Sequence, residues 1–239
     1  MELELTSSSA NAAFPNLNVG AFLKFAADPE DTSAVFDIQK ALVQSPRRNE
    51  MIQKTYEIAS NTPEFVGLFN EKYIPPFPTN EELMGYAEGT LGHATGHHLT
   101  KHGIQLDFAG LDVSVFYNME MNLIGYMNVR GIRTHDIYHA VLGLGVTPIE
   151  EYALASFTLA QFASPYHMLI VSSGYLNTVF EAPTRIPEFL DQTHKFFNLG
   201  KRAKRFIGFK FEEHWATPLD VVREMLGVAE AFSPSKLPA

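Results

Sequence analysis

Apolar side chains recur at three- and four-residue spacing along almost the whole chain, and this period constrains the fold more than any other feature. It runs through "NVGAFLKFAAD", "TSAVFDIQKALVQS", "EYALASFTLAQFAS" and "PYHMLIVSSGYLNTVF". Such spacing places the apolar residues on one face of an amphipathic helix. Only the start of "VSVFYNMEMNLIGYMNVRGIRTHDIYHAVLG" also allows a strand, and its later part returns to the helical period. With no cysteine in 239 residues, disulfides, thiolate metal sites and a cysteine nucleophile are excluded. The expectation is an all-α, single-domain helical bundle over residues 16–239, preceded by a disordered tail over 1–15.

Helix ends are written in the sequence. Thr79 and Glu82 form a T-x-x-E capping box that opens "EELMGYA". Gly89 and Thr90 mark a restart, and Gly103 a left-handed stop. Thr217 and Pro218 read as N-cap and first residue of the last helix. On one continuous helix, Gly85, Gly89, Gly92 and Gly96 would fall within about 60° of each other. That face would let either another helix or a flat or chain-like ligand approach closely.

Apolar residues make up 46% and charged residues 19%, a soluble globular balance. The net charge of -9 argues against nucleic acid as a partner. No apolar run reaches the length of a membrane span, and "MELELTSSSANAAFPNLNVG" has no basic residue of the kind a signal or transit peptide carries. A cytoplasmic or peripheral-membrane protein of bacterial origin is therefore expected.

The segment "THDIYHAVLGLGVTPIEEYALAS" carries the chemistry. His135 and His139 lie one helical turn apart, at about 5–6 Å between Cβ atoms. Two imidazoles so placed can share one cation. Asp136 is about 100° around the helix, at the edge of the same site. Gly143 or Gly145 ends this helix, and "TPIE" opens the next, with Thr147 as N-cap, Pro148 first and Glu150 in the capping-box position. Glu151 is left to turn inward from the first turn, where the helix dipole favours a carboxylate. Spacing alone allows two readings: a metal site of His135, Asp136, His139 and Glu151, or a hydrogen-bonded cluster.

"HDIYH" followed by eleven residues and Glu151 resembles the HDxxHx11E signature of the Coq4 family of ubiquinone-biosynthesis proteins. "DPEDT", "EGTLG", "LGL" and "GKRAKRFIGFKFEEHWATPLDVVREMLGV" resemble stretches of that family, in order, so the likeness covers roughly residues 20 to 228. The resemblance implies an all-helical protein on the membrane surface, working with other quinone-biosynthesis proteins. It implies a divalent metal on His135, Asp136, His139 and Glu151. It also implies an isoprenoid or prenylated-ring lipid with its tail in an apolar groove, and oxidative replacement of a ring C1 carboxylate by hydroxyl. The chain departs from the family at Glu150, where a glycine is usual, and at Phe211, where a tryptophan is usual.

Ligand type does not choose among Zn, Mg, Fe and Mn. Two other functions fit the same residues: a non-catalytic lipid-binding scaffold, and a zincin-like metallohydrolase with Asp136 as general base. A homo-oligomer is also expected. His93 with His97, and His98 with His102, are further pairs four apart, read as solvent-facing or hydrogen-bonded, with Asp107 as the one carboxylate at ligand spacing. Lys195, Lys201, Arg202, Lys204, Arg205 and Lys210 form a run uninterrupted by acids. It is either a solvated helix end or a contact for an anionic membrane surface, through Lys201, Arg202, Lys204 and Arg205.

Overall fold

The computed structural model describes residues 19–29, 32–104 and 123–232. The expected tail over 1–15 lies outside the described residues, and so does Asp107. Among the described residues there are eleven α-helices and no strand. They are α1 (Val19–Ala27), α2 (Thr32–Gln44), α3 (Arg48–Ser60), α4 (Pro63–Glu71), α5 (Asn80–Met84), α6 (Leu91–His102), α7 (Leu123–Leu142), α8 (Pro148–Phe162), α9 (Pro165–Glu181), α10 (Ile186–Arg202) and α11 (Leu219–Leu226). The all-α expectation holds. The helices gather into two compact units, one from the described part of 1–55 with Thr147–Phe197, the other from the described parts of 56–146 and 198–239.

In the first unit, Ala21 and Phe25 of α1, Ala34 and Ile38 of α2, and Tyr152 and Ala155 of α8 form one core. Each pair is three or four residues apart, so each helix presents one stripe. Phe189 of α10 meets the Tyr152 ring edge-on at 5.6 Å. Close packing here needs Gly174 in α9, because a Cβ there would lie 2.9 Å from the rings of both Phe189 and Tyr152. Asn177 ties α9 to α1 by donating to the Ala26 carbonyl at 2.9 Å.

In the second unit, α5 and α6 meet through small residues. The Thr79 capping box is present: its amide donates to Glu82 Oε2 at 2.7 Å, and its hydroxyl accepts from the Glu82 amide at 3.2 Å. The helix then stops at Met84, and Thr90 caps α6. The four glycines therefore do not share one helix. Only Gly92 and Gly96 lie on α6, and their space is filled by protein: a Cβ on Gly96 would lie 2.9 Å from Leu83 Cβ and the Met84 amide nitrogen. Gly103 adopts the left-handed stop with φ 66°.

One helix start differs from expectation. α11 begins at Leu219 and its N-cap is Pro218, not Thr217. Backbone pairing explains the shift. The Leu91 amide donates to Thr217 O at 2.9 Å and the Leu219 amide to Gly89 O at 2.8 Å, drawing Thr217 and Pro218 into an extended bridge with Thr90.

α7 is the spine of this unit. Arg130, 1% exposed, donates from Nη2 to Glu212 Oε2 at 2.9 Å and to the Phe209 carbonyl at 2.7 Å, while Nη1 also donates to Glu212. Phe211 is fully buried beside the rings of Tyr138, Phe206 and Phe209. Phe211 is therefore part of an aromatic core.

Candidate metal site

The last two turns of α7 carry His135, Asp136 and His139. The helix is held there by its own ending: Gly143 takes φ 63°, its amide reaches the Ala140 carbonyl, and the Leu144 amide donates to the His139 carbonyl at 2.9 Å. This is the Schellman pattern, which satisfies carbonyls that a helix end otherwise leaves open. Arg223 adds a bond from Nε to the Val141 carbonyl at 2.8 Å. The backbone under His139 is thus fixed from two sides.

The imidazoles of His135 and His139 lie 4.7 Å apart, ring centre to ring centre. They differ in access: the His135 side chain is 46% exposed, whereas His139 is fully buried. The buried face of His139 stacks on His98 of α6, at 5.1 Å and an interplanar angle of 16°. Asp136 Oδ1 lies 3.7 Å from His135 Nδ1 and 3.8 Å from His98 Nε2. Burial alone would push the Asp136 carboxyl up. Attraction to His135 and His98, with a contribution from His139, outweighs that and holds it well below the usual carboxylate range.

α8 opens as the sequence indicates. Thr147 precedes Pro148, and both the Thr147 amide and hydroxyl donate to Glu150 Oε2. Glu150, at one of the chain's two departures from the family, is thereby engaged in the cap. Glu151, the next residue, is partly buried. Its charge, after burial, helps to push the Tyr166 phenol above its usual range.

Among the described residues, His135, His139 and Glu151 form a group that could hold a metal ion: one ligand atom from each falls within 4.8 Å of the others. Two imidazole nitrogens and one carboxylate oxygen are a donor set that suits Zn or Fe(II). Asp136 stands on the same helix, with its carboxylate next to His98 and His135.

His98 was not among the residues the sequence pointed to as ligands. A weak signal was available: Leu91, Thr95, His98 and Leu99 fall at helical spacing on the buried face of α6, whereas His97 is exposed. Of the basic run, Lys201, Arg202 and Lys204 are exposed. Lys210 is engaged by Glu71 at 3.1 Å and Glu213 at 3.5 Å, so it is not part of an uncompensated patch. No helix among the described residues is long and apolar enough to cross a membrane.

The profile described as "Coenzyme Q (ubiquinone) biosynthesis protein Coq4" matches residues 4–231. The chain belongs to the Coq4 family. It is 24% identical over 156 residues to the mitochondrial ubiquinone biosynthesis protein COQ4 homolog of Nematostella vectensis, covering 63% of this chain and 71% of that protein. The crystal structure of a candidate ubiquinone biosynthesis protein from Nostoc punctiforme is similar in fold, with a TM-score of 0.72 and 26% identity over 88% of this chain and 96% of that one. The residues that resemble the HDxxHx11E signature include all three members of the His135, His139 and Glu151 group.

Proposed function

We propose that this Coq4 protein acts in quinone biosynthesis by binding a divalent metal at His135, His139 and Glu151, with the Asp136 carboxylate beside His135. The metal would meet the polar head of a prenylated ring or an isoprenoid phosphate. One observation carries the reading: three of the four residues that resemble the family signature, His135, His139 and Glu151, have ligand atoms within 4.8 Å of one another. The two imidazoles supply neutral nitrogen donors, and Glu151 supplies a negative charge that offsets part of the cation's. A bound metal would supply Lewis acidity toward a ring carboxylate, or support oxygen chemistry. Oxidative replacement of a ring C1 carboxylate by hydroxyl would consume O2 and water and release CO2 and hydrogen peroxide, and it is the reaction this reading assigns.

Binding energy for such a lipid would come mainly from the tail, at about 0.8 kcal/mol per buried CH₂. The metal would set its register. Lys201, Arg202 and Lys204 would favour an anionic lipid surface, at about 1 kcal/mol per basic residue close to it.

The test is mass spectrometry of small molecules extracted from detergent-free protein, beside a Glu151→Gln variant. An isoprenoid or prenylated aromatic in the wild type, depleted in the variant, is expected. Generic lipid in equal trace amounts in both proteins would contradict the reading.

A further inference from the structure

α6 packs against the end of α7, and one residue of it bears on Asp136. His98 is 7% exposed, and its Nε2 is buried without a direct hydrogen bond in the protein. Asp136 Oδ1 lies 3.8 Å from it, beyond a direct hydrogen bond but within ion-pair reach. The ring cannot turn freely, because one face is stacked on His139. Its backbone is held close by Gly96, where α6 packs against Leu83 and Met84 with no room for a Cβ. A buried imidazole edge in this position is costly unless it meets an acceptor.

The same Asp136 oxygen is 3.7 Å from His135 Nδ1. Asp136 thus stands between an imidazole of α6 and one of the candidate ligands. A carboxylate facing one ring nitrogen of a metal-binding histidine fixes the tautomer and leaves the other nitrogen as the donor. With Nδ1 of His135 turned to Asp136, Nε2 is the nitrogen left for a metal.

We infer that His98 is a positioning residue, which holds the Asp136 carboxylate so that Asp136 in turn orients His135 toward the metal. This rests on the proposed metal reading, and the arrangement runs from His98 on α6 through Asp136 to its neighbour His135, both on α7. His98 itself is not a ligand in this arrangement. The bland counterpart is a core histidine that merely fills space beside His139.

The experiment uses the full chain and Co(II) as the probe. Co(II) affinity is measured by absorption titration for wild type, His98→Phe, His98→Gln, Asp136→Asn and the His98→Phe/Asp136→Asn double variant. Loss of a partner behind a metal ligand lowers affinity by about 10–100-fold. That loss is expected for His98→Phe, with a single Co(II) per chain retained. His98→Gln, which keeps an N–H donor at the same reach, should recover most of it. The double variant should bind no more weakly than Asp136→Asn alone. Wild-type affinity in His98→Phe, or a double variant weakened by the product of the two single effects, would overturn the inference.

Urea unfolding of the same proteins in chelator separates this inference from the proposed function. If the wild type binds no Co(II), the metal reading falls, and the apo-protein cycle decides the pair. Non-additive destabilisation would support His98 holding Asp136. Additive effects would overturn it.

Discussion

The two halves of α7 handle buried charge in opposite ways. Near its middle, Arg130 meets Glu212 in direct contact, and its second terminal nitrogen also reaches the Phe209 carbonyl at 2.7 Å. Near its end, Asp136 stands 3.7 and 3.8 Å from two imidazoles, without closing on either. The first cluster is closed, planar and bidentate, the geometry in which arginine and carboxylate satisfy each other. The second is loose, and one ligand-bearing side chain beside it, that of His135, opens to solvent. The closed pair holds loop 206–213 to the helix. The looser cluster adjoins the group that could hold a metal ion.

The largest effect should come from breaking the closed pair. Arg130→Met leaves Glu212 buried without its partner and should cost about 3–5 kcal/mol in urea unfolding. Replacing both, as Arg130→Met with Glu212→Leu, should recover much of that loss, because two apolar side chains need no desolvation of charge. If the single variant unfolds like wild type, the pair is not what holds α7 to loop 206–213.

Gly96→Ala comes next. Its Cβ would press on Leu83 and the Met84 amide at 2.9 Å, and overpacking of this kind costs about 1–3 kcal/mol. Because α6 carries His98, this variant should also weaken metal binding, whereas Arg130→Met with Glu212→Leu should not. Metal titration of the two proteins sharpens the contrast between closed and open clusters.

Two adjacent carboxylates give the smallest and cleanest comparison. Glu150→Ala removes the capping-box partner of Thr147 and should cost about 1 kcal/mol of thermal or urea stability while leaving metal binding intact. Glu151→Gln should do the reverse, with stability within about 0.5 kcal/mol of wild type and metal binding lost. Equal behaviour of the two variants would merge roles that the geometry separates.

Much of this was legible in the sequence where the physics is local. The capping boxes at Thr79 and Thr147 rest on residues three apart, and the helix stops at Gly103 and Gly143 need only a residue that tolerates positive φ. His135, His139 and Glu151 were legible because a turn and a known signature space them. The rest depends on contacts distant along the chain. Arg130 and Glu212 are 82 residues apart, and their pairing leaves no periodic trace. His98 and Asp136 sit on different helices, so a histidine pair on α6 read as solvent-facing or hydrogen-bonded until its neighbours were seen. Thr217 looked like a cap because the local pattern was right. Backbone bonds from Gly89 and Leu91 moved the helix start by one residue. The helical period likewise describes each helix but not the division of the helices into two units.

The central claim is that His135, His139 and Glu151 hold a metal. Equilibrium dialysis against Zn(II) or Fe(II), followed by elemental analysis, tests it most directly for wild type, His139→Ala and Glu151→Gln. The account predicts a single ion per chain in the wild type and loss of that ion in both variants, with helicity unchanged by circular dichroism. Equal metal content in all three folded proteins would contradict it.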